Sequence, residues 1–444
     1  MGCAQWSSAA AIDSHSCPLV SATLRARYVM ISEPTEAFVW VWLPGASEPV
    51  VAGRLEMSGE IVYFTYGRSY LSHLGAIPLY LPELPLRQGR IRPLDGLTVA
   101  GCIRDSGPDA WGQRVILQQR NGHLTADSDT GDLSLLTYLL ESGSDRIGAL
   151  DFQTSATVYE ARTSEATLDE MVTAADLLEA GLPLPPTLET ALLHGTSVGG
   201  ARPKVLLNDG DRRLIAKLSS RSDPYPVVKA EAVAMELARR VGLNVARTEV
   251  TEALGHDVLL VDRFDRPEGG RHRRMLVSAL TILNLDVMMA RYTTYYDLAD
   301  AIRSRFAEPK QALRELFSRI IFNICVSNTD DHARNHAAFW DGKILSLAPA
   351  YDICPQPRSG GEATQAMAIR RDGYRYSQLA GCVAAASDTY LLSRNEAKGI
   401  IKHQVDTIRS EWGEAAEAAR LTAVERDRLW GRQILNPYAL EDAA

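Results

Sequence analysis

Asp330, Asn335 and Asp352 are the residues of this 444-residue chain whose types and spacing could do chemistry together. The first two lie in Asn328-Thr329-Asp330-Asp331-His332-Ala333-Arg334-Asn335 and the third in Tyr351-Asp352. Moving a phosphoryl group from ATP needs a carboxylate to orient the accepting hydroxyl, and an amide with a second carboxylate to hold Mg²⁺. Asp330 and Asn335 keep a D-x4-N step. Asp352 follows two apolar runs, Ala337 to Trp340 and Lys343 to Leu347, which are expected to turn at Asp341-Gly342 as a two-residue hairpin. Asp331 competes with Asp330 as base, but only Asp330 keeps the spacing to Asn335, which leaves Asp331 a supporting or capping role. His332 and His336 have the spacing of a zinc pair on a helix, yet no H-E-x-x-H surrounds them and strand follows, so Mg²⁺ on Asn335 and Asp352 is the better reading. The alternative for Asp352 is a turn cap after Pro349.

Phosphates also need a cradle. Thr196-Ser197-Val198-Gly199-Gly200-Ala201-Arg202-Pro203-Lys204 offers glycines that let backbone N–H groups approach an anion, with Arg and Lys nearby. No Gly-Lys-Ser/Thr follows, so it is not a Walker loop, and an ordinary Gly-Gly turn is the competing reading. The next strand, Leu214-Ile215-Ala216-Lys217-Leu218, places Lys217 among apolar neighbours, where its charge calls for an anionic partner. Glu231, on a helix expected over Lys229 to Val241, either pairs with Lys217 or is a solvated helix-face acid. Leu259 to Arg266 reads as a buried strand running into a charged turn, the place where a kinase hinge would hold adenine through its backbone.

These groups have to be positioned by something larger. Pro203 to Leu207 and Leu214 to Leu218 are expected strands around Asn208-Asp209-Gly210-Asp211, followed by a helix and the strand Asp257 to Phe264. Upstream, Phe38 to Leu43 and Ile61 to Tyr66 are β-rich runs between turn signals, with a helix-like stretch from Asp109 onward. Leu168 to Glu179 is helical, and Leu182-Pro183-Leu184-Pro185-Pro186 is a connector. Beyond Met275 nearly everything except the catalytic hairpin reads as helix, through Asn395 to Leu435, with Asn436-Pro437 as the stop. The expected fold is α+β: a protein-kinase-like two-lobed fold with an additional β-rich N-terminal domain and an all-helical C-terminal lobe around the hairpin. Its parts are a disordered lead (1–27, with Met30 an alternative start), the N-terminal domain (28–156), connector and small lobe (157–266), and large lobe (267–444).

Composition narrows the function classes. A formal charge of −8 and a pI near 5.7 provide no overall field for nucleic acid. Cys3, Cys17, Cys102, Cys325, Cys354 and Cys382 lack C-x2-C spacing and favour a reducing cytoplasm over a disulfide framework. Neither a secretory signal nor an eighteen-residue apolar run is evident, and Trp6 breaks the myristoylation pattern that Met-Gly begins.

Taken together, S-V-G-G-A-R-P-K, L-I-A-K-L, V-D-R-F-D-R, N-T-D-D-H-A-R-N and L-A-P-A-Y-D-I-C-P resemble the HipA family, serine/threonine kinases that are the toxin half of bacterial toxin–antitoxin pairs. The N-terminal runs Gly75-Ala76-Ile77-Pro78-Leu79, Pro108-Asp109-Ala110-Trp111-Gly112 and Asp145-Arg146-Ile147-Gly148-Ala149-Leu150 are similar to family signatures, so the resemblance spans roughly residues 28 to 440. It implies Asp330 as catalytic base, Asn335 and Asp352 as Mg²⁺ ligands, and Lys217 on the ATP phosphates. Gly199, Gly200, Ala201, Arg202, Pro203 and Lys204 would form the nucleotide loop. The backbone of Asp262, Arg263 and Phe264 would hold adenine, with His332, Ala333, Arg334, Asn335 and Tyr351 also lining the nucleotide. Ser197 matches the serine that family members autophosphorylate, and a phosphate there would repel those of ATP.

The resemblance further implies a helix-turn-helix antitoxin similar to HipB, operator DNA reached through it, and a host protein substrate, aminoacyl-tRNA synthetases being among those of relatives. A catalytically silent regulatory subunit and a small-molecule kinase are the alternatives.

Overall fold

The computed structural model describes residues 33–121, 131, 133–163, 166–195, 202–220, 223–358 and 360–441. The lead at 1–27 and, in the phosphate loop, Ser197, Gly199, Gly200 and Ala201 lie outside the described residues.

The chain first builds an antiparallel sheet, β1 (Glu36–Val41), β2 (Val50–Ser58), β3 (Ile61–Tyr66), β4 (Arg90–Ile91) and β5 (Leu150–Gln153), in the order β4-β3-β2-β1-β5. In β3 the two-residue period buries Val62, Phe64 and Tyr66 on one face. Helix α1 (Ala110–Asn121) follows β4 and starts where Asp109 Oδ1 accepts the N–H groups of Trp111 and Gly112 at 3.1 and 3.3 Å. The connector holds α2 (Leu168–Glu179), opened by a Thr167/Glu170 capping box, and α3 (Pro186–Gly195). Pro186 thus starts a helix, as its fixed φ and missing N–H allow, where the Pro-rich run alone reads as plain linker.

The small lobe is a four-stranded antiparallel sheet, β6 (Lys204–Asp209), β7 (Arg212–Leu218), β8 (Thr248–Ala253) and β9 (His256–Asp262), in the order β6-β7-β9-β8. Helix α4 (Val227–Arg240) crosses between β7 and β8. Ala216 and Leu218 of β7 face a core shared with Val205, Val258, Met171 and Val172 of α2, and Trp111, Val115 and Ile116 of α1. The opposite face of β7 carries Lys217. One hydrophobic cluster therefore joins the N-terminal domain, the connector and the small lobe.

The large lobe contains α5 (Tyr295–Arg305), α6 (Pro309–Cys325), α7 (Leu379–Tyr390) and α8 (Arg394–Ala418). Three expectations change here. β10 (Met275–Ser278) is a strand that pairs with β11 (Ala337–Trp340), so with β12 (Leu345–Leu347) the catalytic hairpin is part of a three-stranded sheet within the otherwise helical lobe. Trp340 pairs with Leu345, so the connection is four residues, held by Asp341 Oδ1 accepting the N–H groups of Lys343 and Ile344, both at 2.8 Å. Asn436-Pro437 starts a short helix instead of stopping one, with Asn436 capping the Tyr438 N–H at 3.0 Å.

Candidate active site

Lys217 is where the two lobes meet electrostatically. Its Nζ donates to Glu231 Oε1 of α4 and to Asp352 Oδ1 of the large lobe, both at 2.5 Å. Glu231 is 5 % exposed, which rules out the solvated helix-face reading. Burial alone would lower the Lys217 pKa, but Asp352 and Glu231 outweigh it and keep the ammonium charged. Lys217 in turn holds the Asp352 carboxyl well below the usual carboxylate range, whereas burial raises that of Glu231 against the pull of Lys217. Asp352 also adopts φ 59°, in the left-handed region that costs roughly 1–2 kcal/mol for a residue with a Cβ. Such strain persists where the surroundings impose it. Here the surroundings are the Lys217 ion pair and the preceding Tyr351, whose OH donates to the Arg334 carbonyl at 2.6 Å.

The catalytic loop is built outward from α6. Asn323, on the last turn, donates to Asp331 Oδ2 at 2.7 Å, and the same oxygen accepts from Tyr295 OH at 2.5 Å and His336 Nε2 at 3.0 Å. Burial would raise the Asp331 carboxyl, but His336 and the Tyr295 hydroxyl hold it low. One oxygen of that carboxylate takes all three bonds inside the lobe. Its neighbour Asp330 is exposed to solvent. Partial desolvation there raises the Asp330 carboxyl; His332 opposes the shift, while Asp352 and Asp331 add to it. A tight turn follows, in which His332 N–H donates to the Asp330 carbonyl at 2.9 Å and Asn335 N–H to the His332 carbonyl at 2.8 Å.

Asn335, 8 % exposed, donates its Nδ2 to the Asp330 carbonyl at 3.2 Å, so that its Oδ1 could serve a metal. Asp352 Oδ2 takes no hydrogen bond among the described residues, and neither do the buried Nδ1 atoms of His332 and His336. No cluster of three or more His, Cys, Asp or Glu suited to a metal occurs among the described residues. An amide oxygen and one carboxylate fit Mg²⁺, which keeps waters and shares substrate phosphates instead of needing a protein cage.

The hinge residues divide. Asp262 and Arg263 give their backbone N–H groups to the Arg247 and Arg213 carbonyls, both at 2.9 Å, and Asp262 pairs with Arg212 at 2.8 Å. Two of the three backbone donors assigned to adenine are thus already used inside the sheet. Phe264 packs in a small apolar cluster with Leu276, Phe339, Ala348 and Tyr351 between the lobes. The Arg263 side chain points the other way, into a buried network with Arg266, Asp265 and Asp145. Arg263 binds Asp265 Oδ2 and Asp145 Oδ1, both at 2.9 Å. Arg266 binds the same two carboxylates at the same distance, and Gly148 N–H donates to Asp265 at 2.8 Å.

At the start of β6, Arg202 pairs with Asp223 at 2.5 Å, and Pro203 accepts the Leu218 N–H at 3.0 Å. Lys204, 6 % exposed, lies directly across from Lys217 in the strand register. Asp109 of the N-terminal domain stands 3.9 Å from its Nζ. Sequence reasoning left Asp109 and the arginine network without a site role. The Pro-Asp-Ala-Trp-Gly run does read as a helix start, but nothing local says which strand that helix start will face.

A mixed small lobe with a buried Lys–Glu pair, set over a large lobe that presents carboxylates from a loop and from the end of a hairpin, defines a protein-kinase-like fold. HipA of Shewanella oneidensis, solved with HipB and its operator DNA, has the same overall architecture, with a TM-score of 0.60 at 19 % identity over 88 % of this chain and 97 % of that one. The HipA N-terminal domain model matches residues 41–153 and the HipA-like C-terminal domain model residues 196–412, and the chain belongs to the HipA family. Among curated relatives, Y4mE of Sinorhizobium fredii, a protein carrying a kinase name, is 28 % identical over 319 residues, 65 % of this chain and 71 % of that protein. The serine/threonine-protein kinase toxin HipA of Shewanella oneidensis is 27 % identical over 183 residues, 35 % of this chain and 42 % of the toxin.

Proposed function

We propose that this protein is an ATP- and Mg²⁺-dependent protein serine/threonine kinase, the toxin of a toxin–antitoxin pair. The observation that carries the reading is the Lys217 ammonium shared at 2.5 Å between Glu231 and Asp352, beside a solvent-facing Asp330. Kinase names on relatives from separate organisms support the class, and the name of one supports the serine/threonine and toxin assignments.

In this reading Asp330 accepts the proton of the substrate hydroxyl as the γ-phosphoryl group leaves the nucleotide. Lys217, fixed by Glu231, holds its charge against the phosphates. Asn335 and Asp352 would hold Mg²⁺, which when bound offsets the negative charge of the β- and γ-phosphates. Gly199 through Lys204 would contact the phosphates and Ser197 would be the autophosphorylation site; His332 through Asn335 and Tyr351 line the nucleotide, and Phe264 lies beside adenine. A phosphate on Ser197 would switch the enzyme off by like-charge repulsion.

The partner would be a helix-turn-helix antitoxin like HipB, through which operator DNA is reached, and the setting the cytoplasm. No helix among the described residues is long and apolar enough to cross a membrane. The substrate would be a host protein such as an aminoacyl-tRNA synthetase.

Incubating the purified protein with γ-labelled ATP and Mg²⁺, then mapping the label, tests the proposal. Label on Ser197 that disappears in Asp330→Asn is expected. No incorporation would favour a silent regulatory subunit, and transfer only to small hydroxyl compounds would favour a small-molecule kinase.

A further inference from the structure

Lys204 presents a physical problem that the kinase reading leaves unsolved. Its ammonium is almost fully buried and sits on the strand position paired with Lys217, so the two side chains rise from one face of the sheet. Paired positions of this kind bring Cβ atoms to about 5 Å, and like charges there repel. Lys217 has two carboxylates of its own. Asp352 and Glu231 also favour the Lys204 ammonium from within the kinase lobes, and a further carboxylate stands against it from outside them: Asp109, at the start of α1 in the N-terminal domain.

The two oxygens of Asp109 do different things. Oδ1 caps α1. Oδ2 is buried, makes no hydrogen bond among the described residues, and lies 3.9 Å from Lys204 Nζ. A cap needs only one oxygen, and Asn or Ser would provide it equally well, so the cap does not explain why a charged residue is buried here.

We propose that Asp109 is a positioning residue for the nucleotide phosphates: it holds the Lys204 ammonium in place, and charged, at the floor of the phosphate site. The inference rests on the kinase reading above and extends it, because it makes the N-terminal domain part of the nucleotide site. Burial favours the neutral amine of Lys204, and the Asp109 charge opposes this. Burial also pushes the Asp109 carboxyl up to about 6, with Lys204 and the two capping N–H groups pulling it down, so Asp109 is ionised at the pH of a kinase assay near 8. Without that negative charge, burial and the Lys217 ammonium would weigh more heavily against the Lys204 proton, with the smaller pulls of Asp352 and Glu231 left to oppose them, and losing that proton would remove the charge that phosphate oxygens need.

The test uses the full-length protein at pH 8, with binding of a non-hydrolysable ATP analogue measured by calorimetry and steady-state rates measured with ATP. Asp109→Asn keeps the cap and removes the charge; Asp109→Ser is a second uncharged cap. Both are expected to weaken analogue binding and raise KM for ATP by roughly tenfold, about 1.4 kcal/mol, with kcat within about twofold. Lys204→Met should weaken binding similarly, and adding Asp109→Asn to it should cost nothing more. Unchanged or tighter analogue binding in Asp109→Asn, or losses that add in the double variant, would overturn the proposal while leaving the kinase reading intact. A wild-type protein that binds no analogue would overturn the kinase reading, and this inference with it.

Discussion

The hinge segment separates two clusters of charge that are built from the same residue types and behave differently. On one side, Arg263 and Arg266 meet Asp145 and Asp265 in a network whose carboxylates are divided between two guanidiniums and a backbone N–H. On the other side, Lys217 and Lys204 meet Glu231, Asp352 and Asp109, and among the described residues no hydrogen bond is made by Asp109 Oδ2, by the second oxygen of Asp352 or by the exposed carboxylate of Asp330. The first cluster joins the N-terminal domain to the hinge. In the proposed reading, the second keeps acceptors and charge for a nucleotide. In this chain, residual bonding capacity separates the chemical from the structural more clearly than residue type or burial does.

Asp330 and Asp331 make the same contrast within one dipeptide, and substitutions there test it most severely. Asp330→Asn should lower kcat by about 10²–10⁴-fold, the range for loss of a general base, with the thermal midpoint unchanged. Phosphate-transfer assays beside a melting curve check both halves; a variant that loses stability and keeps activity would reverse the assignment. In the arginine network, Asp265→Ala leaves two buried guanidiniums short of a partner and should destabilise the protein by about 3–5 kcal/mol, read by chemical denaturation. Asp331→Asn removes the charge that three buried donors share and should cost about 1–3 kcal/mol of stability, with a smaller loss of rate than Asp330→Asn.

The weakest effect expected is that of pH. Asp265, Asp145 and Asp331 all have carboxyl pKa values below the ordinary 3.8 in the fold. Their ionised forms therefore favour the folded state. The stability they contribute is present above about pH 4 and is lost as pH falls through the depressed values. Denaturation midpoints that already drop between pH 7 and 5 would show that these carboxylates do not control acid stability.

How much of this was legible in the sequence depended on whether the signal was local. Helix α2 has the predicted bounds because a capping box and an apolar stripe specify it within a dozen residues. The strand Ala337 to Trp340 was legible because its apolar run is short and bounded by the Asp341-Gly342 turn signal. β10 was not: Met275 to Ser278 becomes a strand only because β11, some sixty residues on, supplies the partner edge. The Asn436-Pro437 error has the opposite cause, since Pro stops one helix and starts another, and only the capping geometry decides. Glu231 could not be settled from its own helix, because the lysine that buries it lies on another strand. Asp109 and Asp145 were hidden for the same reason at greater range, since what they meet is set by tertiary packing.

Trp111, Val115 and Ile116 of α1 pack in one apolar cluster with Met171 of the connector and Val205 and Ala216 of the small lobe. The two family modules adjoin along the gene, yet the oily interior crosses the border between them. Chimaeras that swap the amino-terminal module between relatives by cutting in the connector would therefore pair mismatched halves of one interior, and such swaps should succeed only when α1, α2 and α3 travel together with the strands they cover.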